Sequence, residues 1–141
     1  MRSADPLWPC YARRQGVACP DLLPLRYGRM SHTPFTYMRG AAAMMAFDVV
    51  AGPMTGVQVQ ARGDYHLGNF GAFASPERRV LFDITDFDET LPASWEFDVK
   101  RLAVSFVLLS RDQGCDAATA RDVTAKLLGA YLQALYPWIR P

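Results

Sequence analysis

Three segments of the chain space their hydrophobic and polar residues as helices do. The first, residues 31–51, is rich in alanine and methionine, and Pro34 stands where a first helical turn tolerates it. The others cover residues 94–112 and 116–136, and Asp116 can cap the last of them. A glycine or a proline follows each segment, which predicts that the three helices end there.

Two shorter segments have the character of strands. Valine alternates with glutamine in residues 57–60, and residues 78–84, RRVLFDI, predict a second short strand after the turn at residues 75–77. Closely spaced prolines predict that residues 1–30 are irregular. The order of helix, two strands and two helices predicts an α+β fold, with an N-terminal segment at 1–21 and a single domain at 22–141.

The composition limits the classes of protein and of partner. The chain has 141 residues, half of them hydrophobic, which is enough for one domain with a core. The net charge of +1 and the lack of a basic stripe argue against a nucleic-acid partner. The three cysteines form neither a disulfide framework nor a zinc motif. No apolar run reaches the length of a membrane span or a secretory leader, so we expect a cytoplasmic protein without a membrane partner.

Two loops contain more polar and acidic side chains than packing requires. They are RGDYHLGNFG, residues 62–71, and FDITDFDET, residues 82–90. If the strands beside them pair with each other, the two loops end close together. Asp64 could then take a proton, while the oxygens of Asn69 and Asp86 hold a magnesium ion for phosphoryl transfer. The alternative is that aspartate, asparagine and glycine stand here as ordinary turn residues.

These motifs resemble known families. GDYHLGN followed by TDFDET resembles the H-G-D-x-H-x-x-N … I-D-F-x signature of aminoglycoside phosphotransferases, choline kinases and related protein-kinase-like enzymes. Over roughly residues 22–135 the chain more closely resembles the bacterial domain of unknown function 2252 family. The blocks that carry this second resemblance are PLRYGRM, PFTYMRGAAAMMAFD, GDYHLGNFGAFASPERRVLFDITDFDETLP and WEFDVKRLA. The first resemblance implies that the fold is part of a kinase-like catalytic lobe.

The kinase-like resemblance also implies roles for individual residues. Asp64 matches the aspartate that orients or deprotonates the acceptor hydroxyl, and Asn69 and Asp86 match the magnesium ligands. His66 matches a loop histidine that is more often a scaffold than a base. Asp98, twelve positions after Asp86, matches an aspartate that supports the catalytic loop through hydrogen bonds.

Other residues keep two interpretations. Asp88 is either a second metal ligand or a surface charge, and Asp83 competes with Asp86 for the metal if the strand register slips. Arg39 either contacts a phosphate or substrate acid or pairs with a nearby carboxylate. Arg62 departs from the kinase-like pattern, which has histidine at this position.

The nucleotide-binding elements of such enzymes have no counterpart here. The two lysines, Lys100 and Lys126, fall in predicted helices without a glycine-rich loop before them. The resemblance implies that these elements lie C-terminal to the chain. We therefore expect a truncated phosphotransferase that uses Mg²⁺ and ATP on a small-molecule hydroxyl and self-associates through uncovered apolar surface. The alternatives are an inactive fragment that serves as a binding or interaction module and a metal-dependent phosphohydrolase.

Overall fold

The computed structural model describes residues 20–139, which form two compact units divided between Pro53 and Met54. Within that range the chain has five α-helices and two two-stranded antiparallel sheets, which confirms the predicted α+β class. Cys10, Cys19 and residues 1–19 of the predicted irregular segment lie outside the described residues. The predicted domain bounds stay a prediction. No helix within the described range is both long and apolar enough to cross a bilayer.

The first unit is helical. After a 3-10 turn at Pro20–Leu22 come α1 (Leu23–Met30), α2 (Pro34–Gly40) and α3 (Ala42–Val50). The prediction of irregular structure is therefore wrong for residues 20–30. Pro24 stands in the first turn of α1, where a backbone N–H would have no partner within the helix.

The predicted single helix over residues 31–51 is wrong in one respect, because it breaks at Ala41. The backbone of Ala41 is not helical, with φ −115° and ψ 35°. Gly40 lies so close to α1 that a Cβ there would be 2.6 Å from the sulfur of Met30. Ala41 and Met30 are both buried and pack together. The break thus lets α1 pack against the start of α3.

The second unit contains the sheets and two long helices. Its elements are β1 (Gln58–Ala61), β2 (Phe70–Ala74), β3 (Val80–Ile84), β4 (Leu91–Ser94), α4 (Glu96–Asp112) and α5 (Ala117–Ile139). Asp116 caps α5, since its Oδ1 accepts a hydrogen bond from the Thr119 N–H at 2.7 Å. The predicted end of this helix at Pro137 is wrong. A proline in the final turn removes one hydrogen bond at the end of the helix, and α5 continues to Ile139.

The pairing of the strands differs from the one on which the predicted approach of the two loops was conditional. That condition was pairing between residues 57–60 and residues 78–84, but β1 pairs with β4, and β3 pairs with β2. β2 was not predicted, because its sequence FGAFA is mostly small residues. A short turn joins β2 to β3, so this pair forms at a lower cost in chain entropy than the longer-range pair would.

The β2–β3 hairpin exposes apolar side chains on both faces. Val80 and Phe82 lie on one face and are 81% and 73% exposed. Phe73 and Leu81 face each other across the strands on the other side and are also exposed. The self-association expected from the sequence stays a prediction, and this hairpin offers a surface for it.

Arg78, in the turn between β2 and β3, has the left-handed φ of 61°, which costs about 1 kcal/mol for a residue with a Cβ. Replacing Arg78 by glycine is therefore expected to raise the free energy of unfolding by up to about 1 kcal/mol in urea titrations. Arg79→Gly is the control, since Arg79 is also exposed but does not have a positive φ. It should lower stability by roughly 0.5–1 kcal/mol. Equal effects of the two changes would show that Arg78 is not strained.

Candidate functional site

The loop of residues 62–69 connects β1 to β2 and is folded back on itself. Gly63 starts the reversal with a φ of 81°, which glycine adopts readily. The His66 N–H then donates to the Asp64 carbonyl at 3.1 Å, and the Asn69 N–H donates to the His66 carbonyl at 3.0 Å. These hydrogen bonds bring the side chains of Asp64, His66 and Asn69 into one group.

The Asp64 carboxylate is the centre of this group. Its Oδ1 accepts hydrogen bonds from Arg101, at 3.0 Å from Nε and also from Nη2. Its Oδ2 lies 3.3 Å from Nε2 of His66 and accepts from Nδ2 of Asn69 at 3.3 Å. The same Nδ2 donates to the Asp64 carbonyl at 2.8 Å. Arg101 and His66 are almost fully buried, whereas the Asp64 side chain keeps 23% of its surface exposed.

These contacts set the charge of Asp64. Burial raises its pKa, but the hydrogen bonds and charges of His66 and Arg101 outweigh burial and lower the pKa from 3.8 to about 2. Asp64 is therefore ionised at neutral pH. A carboxylate with so low a pKa accepts a hydrogen bond readily and removes a proton poorly.

One face of α4 holds the loop in place. Asp98 accepts the Arg62 N–H at 2.8 Å with Oδ2 and the Gly63 N–H at 3.2 Å with Oδ1. The Ser105 hydroxyl oxygen accepts the Leu67 N–H at 3.1 Å. Together with Arg101 these residues occupy positions i, i+3 and i+7, which share one side of a helix.

Sequence reasoning identified Asp98 but missed Arg101 and Ser105. The signal was present, because all three polar residues lie at helical spacing in DVKRLAVS, an otherwise largely apolar stretch. The same reasoning missed Glu96, which is buried at the start of α4 and accepts hydrogen bonds from the Ser94 hydroxyl and, at 2.5 Å, from the Thr55 N–H. Burial raises the pKa of Glu96, but these hydrogen bonds lower it to about 2.

The turn of residues 85–90, between β3 and β4, lies against the 62–69 loop. The N–H and hydroxyl of Thr85 both donate to the Asn69 carbonyl, at 2.8 and 3.0 Å. A Cβ on Gly63 would be only 2.4 Å from the Glu89 carbonyl oxygen. The two loops therefore meet, although the strands beside them, β1 and β3, do not pair with each other.

The acidic residues of the second loop are all exposed. Asp86 accepts the Asp88 N–H at 3.2 Å, and Asp83 accepts the Ile84 N–H at 2.7 Å from within β3. Across the described part of the chain, no three histidine, cysteine, aspartate or glutamate residues are grouped as a metal site. The metal-binding roles of Asn69, Asp86 and Asp88 stay predictions. So does the role of Arg39, which lies on α2 in the first unit.

The comparisons with known proteins give one match. The family model described as an uncharacterized protein conserved in bacteria, DUF2252, matches residues 17–137. This range contains residues 22–135, over which the sequence blocks resemble that family. No curated protein and no solved structure matches the chain.

The low pKa of Asp64 predicts a loss of stability in acid. A carboxylate whose folded pKa is about 2 and whose unfolded pKa is 3.8 stabilises the fold by about 2 kcal/mol above pH 4. This contribution is lost as the pH falls from 4 to 2. We expect the wild type to exceed Asp64→Asn in unfolding free energy at pH 7, with a difference that shrinks over that interval. Denaturant titrations at several pH values measure this difference in unfolding free energy. Asp112→Asn, at an exposed site, is the control and should show the same dependence of unfolding free energy on pH as the wild type.

The close approach of the two loops predicts unequal effects at two glycines. Gly56 and Gly63 have φ values of 82° and 81°, but only Gly63 has atoms within 4 Å of the position of a Cβ. Gly56→Ala should cost about 1 kcal/mol of stability from backbone strain alone. Gly63→Ala should cost roughly 1–3 kcal/mol more, because its Cβ meets the Glu89 carbonyl. Equal losses in urea titrations would mean that the turn does not lie against the loop.

Proposed function

We propose that this chain, which belongs to the DUF2252 family of uncharacterised bacterial proteins, carries the catalytic loop of a kinase-like phosphotransferase. The proposed reaction moves the γ-phosphoryl group of ATP to the hydroxyl of a small molecule, with magnesium as the metal. A new bond forms between the acceptor oxygen and phosphorus, and the bond between phosphorus and the oxygen that bridges to the β-phosphate breaks. ADP leaves with the electron pair of the broken bond, and the proton of the acceptor hydroxyl passes to water.

One observation carries the proposal. The Asn69 side chain donates to Asp64, and the Asn69 carbonyl accepts from Thr85, the residue before Asp86. Asp64, Asn69 and the start of the second acidic turn are thus joined by direct hydrogen bonds. Phosphoryl transfer needs a carboxylate for the acceptor beside oxygen ligands for magnesium, and it depends mostly on positioning and electrostatics.

The donor atoms suit magnesium. The amide nitrogen of Asn69 donates to Asp64, which leaves the amide oxygen as the ligand atom of this side chain. Asp86 and Asp88 are exposed and add carboxylate oxygens. Magnesium is usually held by one or two protein carboxylates together with waters and substrate phosphates. A cluster of three acidic residues is therefore not required, and the residues present fit the ion.

In this proposal Asp64 orients the acceptor. Its exposed part accepts a hydrogen bond from the acceptor hydroxyl, while Arg101 and His66 hold the carboxylate ionised and in place. Because its pKa is about 2, Asp64 aligns the hydroxyl and does not act as a strong base. Magnesium, when bound, neutralises negative charge on the group being transferred. Asp98 keeps the loop in position through the backbone of Arg62 and Gly63.

Ligand-induced thermal stabilisation tests the proposal. Mg²⁺ with ATP at a hundred times its dissociation constant should stabilise the wild type by about 2.7 kcal/mol, which is several degrees in Tm. Asp86→Asn should lose this shift. Asp122→Asn should keep it, because Asp122 is an exposed residue on α5 that pairs with Lys126.

The other outcomes separate the alternatives. A wild type that is not stabilised by Mg²⁺ and ATP contradicts phosphotransfer by this chain and favours an inactive fragment that serves as a binding or interaction module. A shift that is unchanged in Asp86→Asn contradicts the assigned metal ligand. Release of phosphate from ATP without any added acceptor would favour a phosphohydrolase.

A further inference from the structure

We infer that Arg62 is a positioning residue that sets the metal affinity of the proposed site through its contact with Phe87. This inference rests on the proposed function. The guanidinium carbon of Arg62 lies 4.5 Å from the centroid of the Phe87 ring, within the range of a cation–π interaction. Phe87 directly follows the proposed ligand Asp86, so the contact joins the two loops beside the site.

The Arg62 end of this contact is fixed. The Arg62 N–H donates to Asp98 on α4, and the next residue, Gly63, does the same. Arg62 as a whole residue is also partly buried. Arg62 therefore extends from a rigid base toward the turn.

The Phe87 end is held less firmly. The hydrogen bonds inside the turn join residues close together in the sequence, and their donor–acceptor distances are long. The Asp88 N–H donates to Asp86 at 3.2 Å, and the Thr90 N–H donates to the Phe87 carbonyl at 3.3 Å. Asp86, Asp88 and Glu89 are exposed and repel one another. A cation stacked on the ring between them restrains the turn and offsets part of that repulsion.

Positioning and simple electrostatics predict opposite results when the charge of Arg62 is removed. A nearby positive charge repels a metal ion, so electrostatics alone predicts that Arg62→Met binds the metal more tightly. If Arg62 instead holds Asp86 in place, the same change weakens binding. Phe87→Leu alters no charge and should weaken binding by the same route.

Binding of Mn²⁺ alone, measured by electron paramagnetic resonance, is the direct test, because Mn²⁺ also prefers oxygen ligands. Arg62→Met and Phe87→Leu should each weaken binding about two- to fivefold, the size expected from one exposed cation–π contact. The double variant should be no weaker than either single one. Arg62→Lys and Phe87→Trp keep a cation and a ring face and should retain wild-type affinity. Arg79→Met is the control for loss of a distant charge.

Each result decides the inference. Tighter binding by Arg62→Met, unchanged binding by Phe87→Leu, or effects of the two changes that add in the double variant would overturn it. A wild type that binds no Mn²⁺ contradicts the proposed function instead, and amide hydrogen exchange then tests the contact. Faster exchange at Asp88 and Thr90 in both single variants supports the coupling of the two loops, and unchanged exchange overturns it.

Discussion

The hydrogen bonds from the backbone of Arg62 and Gly63 to Asp98 are the interaction on which the candidate site depends. A buried peptide N–H without an acceptor costs about 1–3 kcal/mol, and this loop presents two such groups side by side. By accepting both, the carboxylate makes the left-handed turn at Gly63 favourable. Asp98 thereby holds the backbone on the N-terminal side of Asp64 in place. It also holds the backbone of Arg62, whose side chain contacts Phe87.

α4 extends this arrangement along its length. Glu96 ties the beginning of the helix to the segment before β1 through Thr55, and Arg101 and Ser105 contact the loop further along. The Arg101 side chain is only 3% exposed, and its positive charge is compensated in this buried position by the carboxylate of Asp64. Removing one partner of a buried ion pair typically costs about 3–5 kcal/mol, since the other charge stays buried. Asp64, the residue proposed to orient the acceptor, is therefore also part of what keeps the loop folded.

The sequence could identify residues of the candidate site because their types are restricted by chemistry and by backbone geometry. Asp64, Asn69 and Asp86 stood out as polar residues among glycines and aromatics in loops. Arg101 was overlooked because an arginine on a helix is usually solvated, and only its helical spacing from Asp98 and Ser105 in a largely apolar stretch indicates a buried one. The helices of the second unit were predictable from their hydrophobic spacing. The break at Ala41 was not, since it depends on how Gly40 meets Met30 in another helix.

By itself the sequence determined the α+β class, the membership of a bacterial family and the set of polar residues in the two loops. Only the tertiary structure decided that β1 pairs with β4 and β2 with β3, and hence how those loops come together. Strand partners are chosen by contacts between residues far apart in the chain, and alternation along one strand does not encode them. The charge of Asp64 was decided in the same way, because its pKa depends on an arginine 37 positions away in the sequence.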